Sequence, residues 1–166
     1  MTQKDFTTTI VVDQTPDEVF NAINNVRGWW SQQVDGSTDT ANSVFTYQYQ
    51  DVHICRIEIT ELVPAKKVEW LVLNNHFSFT KDKKEWTGTK IRFEIDRKND
   101  KTLLRFTHVG LVPDYECFEI CQEGWTNYIE TSLHDLITTG QGSPNPREGK
   151  GFNASIVEKW QLDRAH

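Results

Sequence analysis

The sequence has no apolar stretch long enough to cross a membrane, and its opening residues, MTQKDFTTTIVVDQ, lack the apolar run of a signal peptide. These absences predict no membrane span and a cytoplasmic protein. Cysteine is scarce: the 166-residue chain has three, without the spacing of a disulfide framework, which fits a reducing compartment. Cys117 and Cys121 supply at most half of a metal site, so a structural role is favoured for them.

A surplus of positive charge is also missing. Lys and Arg number 18 against 24 Asp and Glu, which gives a formal net charge of −6. This balance argues against the basic face that nucleic-acid binding requires, so no nucleic-acid partner is expected. The sequence contains no G-x-S-x-G, no H-E-x-x-H, no glycine-rich phosphate loop and no acidic cluster with metal-ligand spacing. We therefore predict no catalytic residues, no metal and no cofactor.

Aromatic residues are abundant by contrast, with six Trp, nine Phe and four Tyr. Much of the core volume must therefore come from rings. Two of the tryptophans, Trp29 and Trp30, are adjacent within the polar stretch NNVRGWWSQQVDG. Adjacent residues point in different directions on a helix or a strand, so one ring can be buried while the other is exposed at a rim, a lid or a contact surface.

The chain begins with a predicted strand and a well-marked helix start. FTTTIVVD, residues 6–13, alternates in polarity and is rich in β-branched residues, which favours a strand. Thr15 then serves as N-cap, Pro16 takes the first helical position, and Glu18 completes a capping box. The Asn-Asn pair that follows should end this helix, with RGWWS forming a second short helical turn.

From about residue 42 the apolar period changes to two. Alternation of this kind predicts antiparallel strands with one solvated face. It occurs in SVFTYQYQ, VHICRIEITEL, KVEWLVL, WTGTKIRFEID and TLLRFTHVG, with a short HFSFT between the third and the fourth. After Pro113 the period becomes helical. We predict a long helix over residues 114–139, with Asp114 as its cap and Gly140 as its end.

This order of elements is that of the helix-grip fold, an α+β fold in which a curved antiparallel sheet of about seven strands wraps around a C-terminal helix, with two short helices after strand 1. Four segments carry a closer resemblance: TTTIVVDQTPDEVFNAINNVRGWW, IEITELVPAKKVEWLV, GTKIRFEIDRKNDKTLLRFTHVGL and EGWTNYIETSLHDLI. They resemble the SRPBCC (START/Bet v 1-like) superfamily, and within it the branch of activator-of-heat-shock-protein-90-ATPase homologues. The resemblance covers residues 5 to about 139. It implies a START/Bet v 1-like domain of residues 1–140, followed by a linker and C-terminal tail of residues 141–166.

The resemblance implies a cavity between sheet and helix that often holds a small apolar or amphipathic molecule. It does not imply one chemistry, because a fold hosts many functions. The resemblance also implies that one ring of the tryptophan pair fills the core at the cavity mouth and that the other lies at the rim, with Trp30 favoured as the inward ring. The alternative is that both rings simply pack without a ligand. The expected ligand-binding residues, on the inward faces and at the cavity mouth, are Trp30, Tyr47, Trp70, Phe93, Phe106, His108, Trp125 and Ile129.

Two histidines raise the question of catalysis. His108 shares a strand face with Phe106, where it would act as an acid or base or orient a ligand, but a structural hydrogen bond is the favoured interpretation. His53 and Cys55 also share a strand face. Residues two apart on a strand have Cα atoms about 6.6 Å apart, a poor geometry for proton transfer between a thiol and an imidazole. The pair is therefore not assigned a catalytic role.

The segment after Gly140 has the composition of a linker. GQGSPNPREGKG is rich in Gly and Pro, so we expect residues 141–151 to be mobile and removable. FNASIVEKWQLDRAH follows, with Phe152, Ile156 and Trp160 four residues apart. It is either a terminal segment docked on its own domain or an amphipathic helix that binds a partner.

Three functions stay open at the level of sequence. The leading hypothesis is the binding of a small apolar or amphipathic molecule in the cavity. A cyclase- or dehydratase-type enzyme using the same pocket is the second, with His108 and Tyr47 as its polar groups. A protein-interaction module that regulates a chaperone is the third and weakest. The sequence identifies neither the ligand nor the oligomeric state.

Overall fold

The structure, a computed structural model, describes residues 5–147 and 151–161. It has the expected helix-grip α+β fold, in which a seven-stranded antiparallel sheet curves around a long C-terminal helix. The strands are β1 Phe6–Val12, β2 Val34–Asp35, β3 Val44–Tyr49, β4 His53–Val63, β5 Lys67–Phe77, β6 Lys90–Lys98 and β7 Lys101–Val109. The helices are α1 Pro16–Asn24, α2 Val26–Trp29, α3 Phe118–Thr126, α4 His134–Thr139 and α5 Phe152–Trp160, with a π-helical segment, Asn127–Leu133, joining α3 to α4.

The sheet is a single layer with the strand order β1-β7-β6-β5-β4-β3-β2. The pairing of β4 with β5 shifts register between Arg56 and Ile57 and again between Ile59 and Glu61. Irregularities of this kind bend a strand and increase its twist, which contributes to the curvature of the sheet. The sequence does not predict the strand β2, because two residues are too few to show an alternating pattern of apolar and polar residues.

The helix α1 begins as its sequence indicates. The Thr15 side chain accepts a hydrogen bond from the Glu18 N–H at 3.2 Å, and the Glu18 carboxylate accepts one from the Thr15 N–H at 3.2 Å. Pro16 occupies the first helical position, where its missing N–H is not needed. The capping box is therefore formed in both directions.

We expect Thr15→Ala to lower the free energy of unfolding by about 1 kcal/mol, because it leaves the Glu18 N–H without its partner. Urea unfolding followed by circular dichroism measures the change. The matched variant Thr15→Ser keeps the hydroxyl and should stay close to the unchanged protein. Equal losses in the two variants would contradict a capping role for the hydroxyl.

The long helix consists of α3, the π-helical segment and α4. It starts at Phe118 and not at the predicted Asp114. The Glu85 carboxylate, from the loop between β5 and β6, accepts hydrogen bonds from the N–H groups of Glu116 at 2.9 Å and Cys117 at 3.1 Å. Glu85 therefore satisfies the donors just ahead of the helix, and a partner so distant in sequence leaves no local signal. The predicted end is confirmed: Gly140 adopts φ 84°, a left-handed conformation that glycine tolerates.

Four residues of the π-helical segment are buried: Tyr128, Ile129, Ser132 and Leu133. They follow the buried Trp125 by three, four, seven and eight residues, which is the spacing of one continuous helix face. Ser132, in the same segment, donates its hydroxyl to the Trp29 carbonyl at 2.7 Å and ties the helix to α2.

Both members of the tryptophan pair are buried, so the expected ring at the rim is a wrong prediction. Trp29 is 0% and Trp30 is 1% exposed. Their rings lie nearly parallel, 16° apart, and both stack against Trp70, at centroid distances of 6.4 and 6.1 Å. Trp29 ends α2 and Trp30 caps it. The pair forms part of the core between α2 and the sheet.

The segment that follows Gly140 packs on the domain. Asn145 is only 2% exposed, and both its backbone N–H and its side-chain amide donate to the Trp30 carbonyl, each at 3.0 Å. This contact does not fit the free, removable linker that we expected over residues 141–151; of these, residues 148–150 lie outside the described part. The division of the chain into a domain and a tail at Gly140 stays a prediction.

Candidate ligand-binding site

A mostly apolar cavity of about 70 Å³ lies between one end of the sheet, the long helix and α5. The strands β3, β4 and β5, the turn between β3 and β4 and the loop after β5 form one side. Their contribution is Tyr47, Tyr49, Val52, His53, Phe77, Phe79 and Trp86. The opposite side comes from Trp30, from the long helix through Ile120, Cys121, Gly124, Trp125 and Tyr128, and from α5 through Phe152, Asn153, Ile156 and Val157.

The walls of the cavity are mainly stacked rings. Trp30 lies on Tyr47 with centroids 4.3 Å apart, and Trp86 lies on Trp125 with centroids 5.7 Å apart and planes 12° apart. The His53 ring stands edge-on to Trp86, 4.7 Å from it. Flat faces of this kind favour aromatic or other apolar groups.

A polar cluster of four side chains lies at one end of the cavity, and three of them line it: Tyr47, Tyr128 and Asn153. The Asn153 amide donates to the Tyr47 hydroxyl at 2.6 Å and accepts from the Tyr128 hydroxyl. The Asn145 amide donates to the Tyr128 hydroxyl at 2.8 Å and accepts from the Asn153 N–H at 2.8 Å. Burial raises the pKa of both tyrosines above the ordinary value, so both hydroxyls keep their protons and serve as donors and acceptors.

Two buried donors beside the His53 ring have no hydrogen-bond partner. His53 Nε2 lies 2.7 Å from Asn75 Oδ1, and burial lowers the pKa of His53 to about 3, which keeps the ring neutral near pH 7. Asn75 Nδ2 and Trp86 Nε1 are buried without a partner in the structure. An unpaired buried donor is costly, and Trp86 lines the cavity, so a ligand acceptor group at that ring would be favourable.

His108 lies outside the cavity, in a hydrogen-bonded position that settles its tautomer. Trp125 donates its indole N–H to His108 Nδ1 at 3.0 Å, so Nδ1 carries no proton. His108 Nε2 therefore donates to Thr89 Oγ1 at 2.8 Å, and Thr89 in turn donates to the Trp86 carbonyl at 2.6 Å. Burial lowers the pKa of His108 to about 3. Both ring nitrogens are engaged within the protein, so the ring has no free nitrogen for a substrate.

The structure brings three of the eight predicted site residues to the cavity and leaves five in the packed core. Trp30, Tyr47 and Trp125 line the cavity. Trp70, Phe93, Phe106, His108 and Ile129 are each 0% exposed and lie among other core side chains. The structure thus places these five in the sheet–helix interface and not along this cavity, and their role in ligand binding stays a prediction.

Sequence reasoning missed several lining residues. Trp86 directly follows the charged loop KDKKE, where a buried ring is unexpected, and the strand pattern around His53 indicates only that it shares a face with Cys55. The four-residue spacing of Phe152 and Ile156 was a usable signal for α5, but nothing local shows where that helix docks.

Neither a metal site nor a membrane helix is present in the described structure. Within residues 5–147 and 151–161, no three His, Cys, Asp or Glu side chains come together as metal ligands. In the same part of the chain, no helix combines the length and apolar character that crossing a bilayer requires.

Solved structures of other proteins share the fold. The solution structure of the Aha1 dimer from Colwellia psychrerythraea has a TM-score of 0.67 and 21% identity, and the match covers 84% of this chain and 99% of that one. CalU16 from Micromonospora echinospora has a TM-score of 0.58 and 14% identity, covering 95% of this chain and 83% of that one. Protein MLL2253 from Mesorhizobium loti has a TM-score of 0.59 and 14% identity, and the match covers 80% of this chain and 96% of that one. A comparison with curated proteins gives no match.

The family match agrees with these structures. The model of the family described as Activator of Hsp90 ATPase homolog 1-like protein matches residues 13–138. The matched residues run from the end of β1 to α4 and contain the sheet and long-helix sides of the cavity, whereas α5 lies beyond them. The chain belongs to the Activator of Hsp90 ATPase homolog 1-like protein family, within the SRPBCC superfamily.

Proposed function

We propose that this protein binds a small apolar or amphipathic molecule in the cavity between the sheet, the long helix and α5. The observation that carries the proposal is the combination of stacked rings with a polar cluster at one end. Ligand sites in proteins commonly have this composition, with an apolar lining and a few polar groups that orient the ligand.

The protonation states favour binding over proton-transfer chemistry. A general acid or base works best with a pKa near the working pH. Burial moves the pKa of His53 down to about 3, and it moves those of Tyr47 and Tyr128 upward. These groups therefore hold one protonation state across the neutral range. They are suited to donating and accepting hydrogen bonds, and a cyclase- or dehydratase-type reaction is the less favoured alternative.

Gly124 offers a direct way to test the cavity. It lines the cavity from within α3, and a Cβ built there meets only Tyr128 Cε2, at an ordinary contact distance of 3.7 Å. Replacing Gly by a good helix former inside a helix also favours folding. A Gly124→Leu side chain would therefore fill the cavity without breaking the helix.

We expect the unchanged protein to enhance the fluorescence of 1-anilinonaphthalene-8-sulfonate, and Gly124→Leu to weaken this binding about tenfold or more, since a filled cavity has no room for the probe. Gln122→Leu, which adds the same side chain at an exposed position of the same helix, is the matched control. Near-ultraviolet circular dichroism verifies that all three proteins keep native packing. Equal probe binding by both variants would refute a site in this cavity.

The family description raises chaperone regulation as a second function. A stoichiometric complex with a chaperone ATPase, together with Gly124→Leu leaving that complex intact, would rank surface binding above ligand binding. We place ligand binding first because the polar cluster and stacked rings lie inside the fold, where a protein partner has no access.

A further inference from the structure

The helix α5 fills the mouth of the cavity with its own side chains. Phe152, Asn153, Ile156 and Val157 are lining residues. Phe152 meets the Tyr128 ring edge-on at a centroid distance of 5.5 Å. The Asn153 amide bridges the hydroxyls of Tyr47 and Tyr128. This short helix therefore supplies an apolar body and a polar end to the site.

The remaining volume is too small for a typical ligand. About 70 Å³ holds a few water molecules, whereas sites for drug-sized molecules measure roughly 300–1,000 Å³. Binding such a molecule requires one side of the cavity to move. The rings contributed by the sheet and the long helix are embedded in the main core, so their displacement would disrupt the fold.

The helix α5 is the side held least firmly. Within α5 only Ile156 is buried, at 8% exposure, and the helix start at Gly151 has no side-chain cap. Its other attachments include an ion pair between Lys159, which is largely exposed, and Glu123, which is partly exposed; a contact of this type contributes little. A helix of this length is unstable without tertiary contacts, so α5 would unfold once its contacts with the domain were lost.

We infer, on the basis of the proposed function, that α5 occupies part of the binding site when no ligand is bound and that the ligand binds by displacing this helix. The apolar side chains and the amide that α5 places in the site indicate the class of ligand. The ligand is an amphipathic molecule with a flat apolar body and a polar end that both donates and accepts hydrogen bonds, as a carboxamide or a hydroxyl does. That end takes the place of the Asn153 amide between Tyr47 and Tyr128.

Hydrogen exchange of the full chain, with and without 1-anilinonaphthalene-8-sulfonate, distinguishes displacement from ordinary binding. Displacement predicts faster exchange of the amides in residues 151–161 when the probe binds, while peptides from β6 and β7 keep or gain protection. Ordinary binding under a closed helix predicts slower exchange in residues 151–161.

Two full-chain variants give a second readout. Ile156→Glu places a charge in the contact between α5 and the cavity, and Asn153→Ala removes the amide bridge; each releases α5 and should tighten probe binding about tenfold by removing the cost of displacement. Glu158→Ala, on the exposed face of α5, should leave the affinity unchanged.

The outcomes separate the two proposals. Faster exchange in residues 151–161 together with tighter binding by the releasing variants supports displacement. Probe binding with slower exchange there, or weaker binding by both variants, overturns displacement and leaves the proposed function standing. No probe binding by the unchanged protein or by either folded variant overturns both.

Discussion

A Phe106→Ala variant is expected to lose about 3–5 kcal/mol of the free energy of unfolding, the loss typical of a tightly packed core ring. Phe106 is 0% exposed, and its ring contacts those of Phe93 and Trp125 at centroid distances of 5.2 and 4.7 Å. The ring of Phe6, on the neighbouring strand β1, also contacts it. The sequence predicts that Phe106 lines a cavity, where shortening the ring would cost less. In the structure its ring is in contact with three other rings.

Chemical denaturation of the variant measures the loss. Val11→Ala is a suitable control, because Val11 lies on the neighbouring strand β1 but is 53% exposed; its cost should be well under 1 kcal/mol. A loss below about 2 kcal/mol for Phe106→Ala would show that the centre of the interface is loosely packed.

The free energy of unfolding is expected to fall as the pH drops below 6.5, and His108 should account for a measurable part of the fall. Burial lowers its pKa in the folded protein from the ordinary 6.5 to about 3. Between these values the unfolded chain binds a proton that the folded protein does not, so acid favours unfolding. The slope for one such group is about 1.4 kcal/mol per pH unit, or roughly 2.7 kcal/mol lost by pH 4.5.

Replacing the histidine isolates its share of the pH dependence. His108→Gln cannot take up this proton, so its free energy of unfolding should change less between pH 7 and pH 4.5 than that of the unchanged protein, whatever its stability at pH 7. His134→Gln alters a partly exposed histidine on α4 and is the matched control. Identical pH slopes for the unchanged protein and His108→Gln would contradict the buried neutral state of His108.

Features encoded by neighbouring residues were predictable from the sequence. The capping box of α1 involves Thr15 and Glu18, which are three residues apart. The strands β3 to β7 are indicated by the alternation of apolar and polar residues within each segment. The glycine that ends the long helix is equally local. These signals, in the right order, were enough to specify the helix-grip fold.

Features that depend on distant partners were not predictable. Glu85 satisfies the donors ahead of the long helix from 31 residues away, so the start at Phe118 has no local signature. The same holds for the cavity. Its position depends on the docking of α5, and Asn153 reaches Tyr47 across 106 residues of sequence. A chain of inward-facing rings looks alike from the sequence whether the rings enclose a cavity or fill a core, as those of Trp70 and Phe93 do.

Native mass spectrometry of the full chain tests the central claim, that this cavity binds a small molecule. The unchanged protein, incubated with an amphipathic aromatic carboxamide, should show an added mass equal to one ligand. Gly124→Leu, treated in the same way, should show the mass of the protein alone. Retention of the same added mass by Gly124→Leu, or its absence from the unchanged protein over a range of such ligands, would contradict the assignment of this cavity as the binding site.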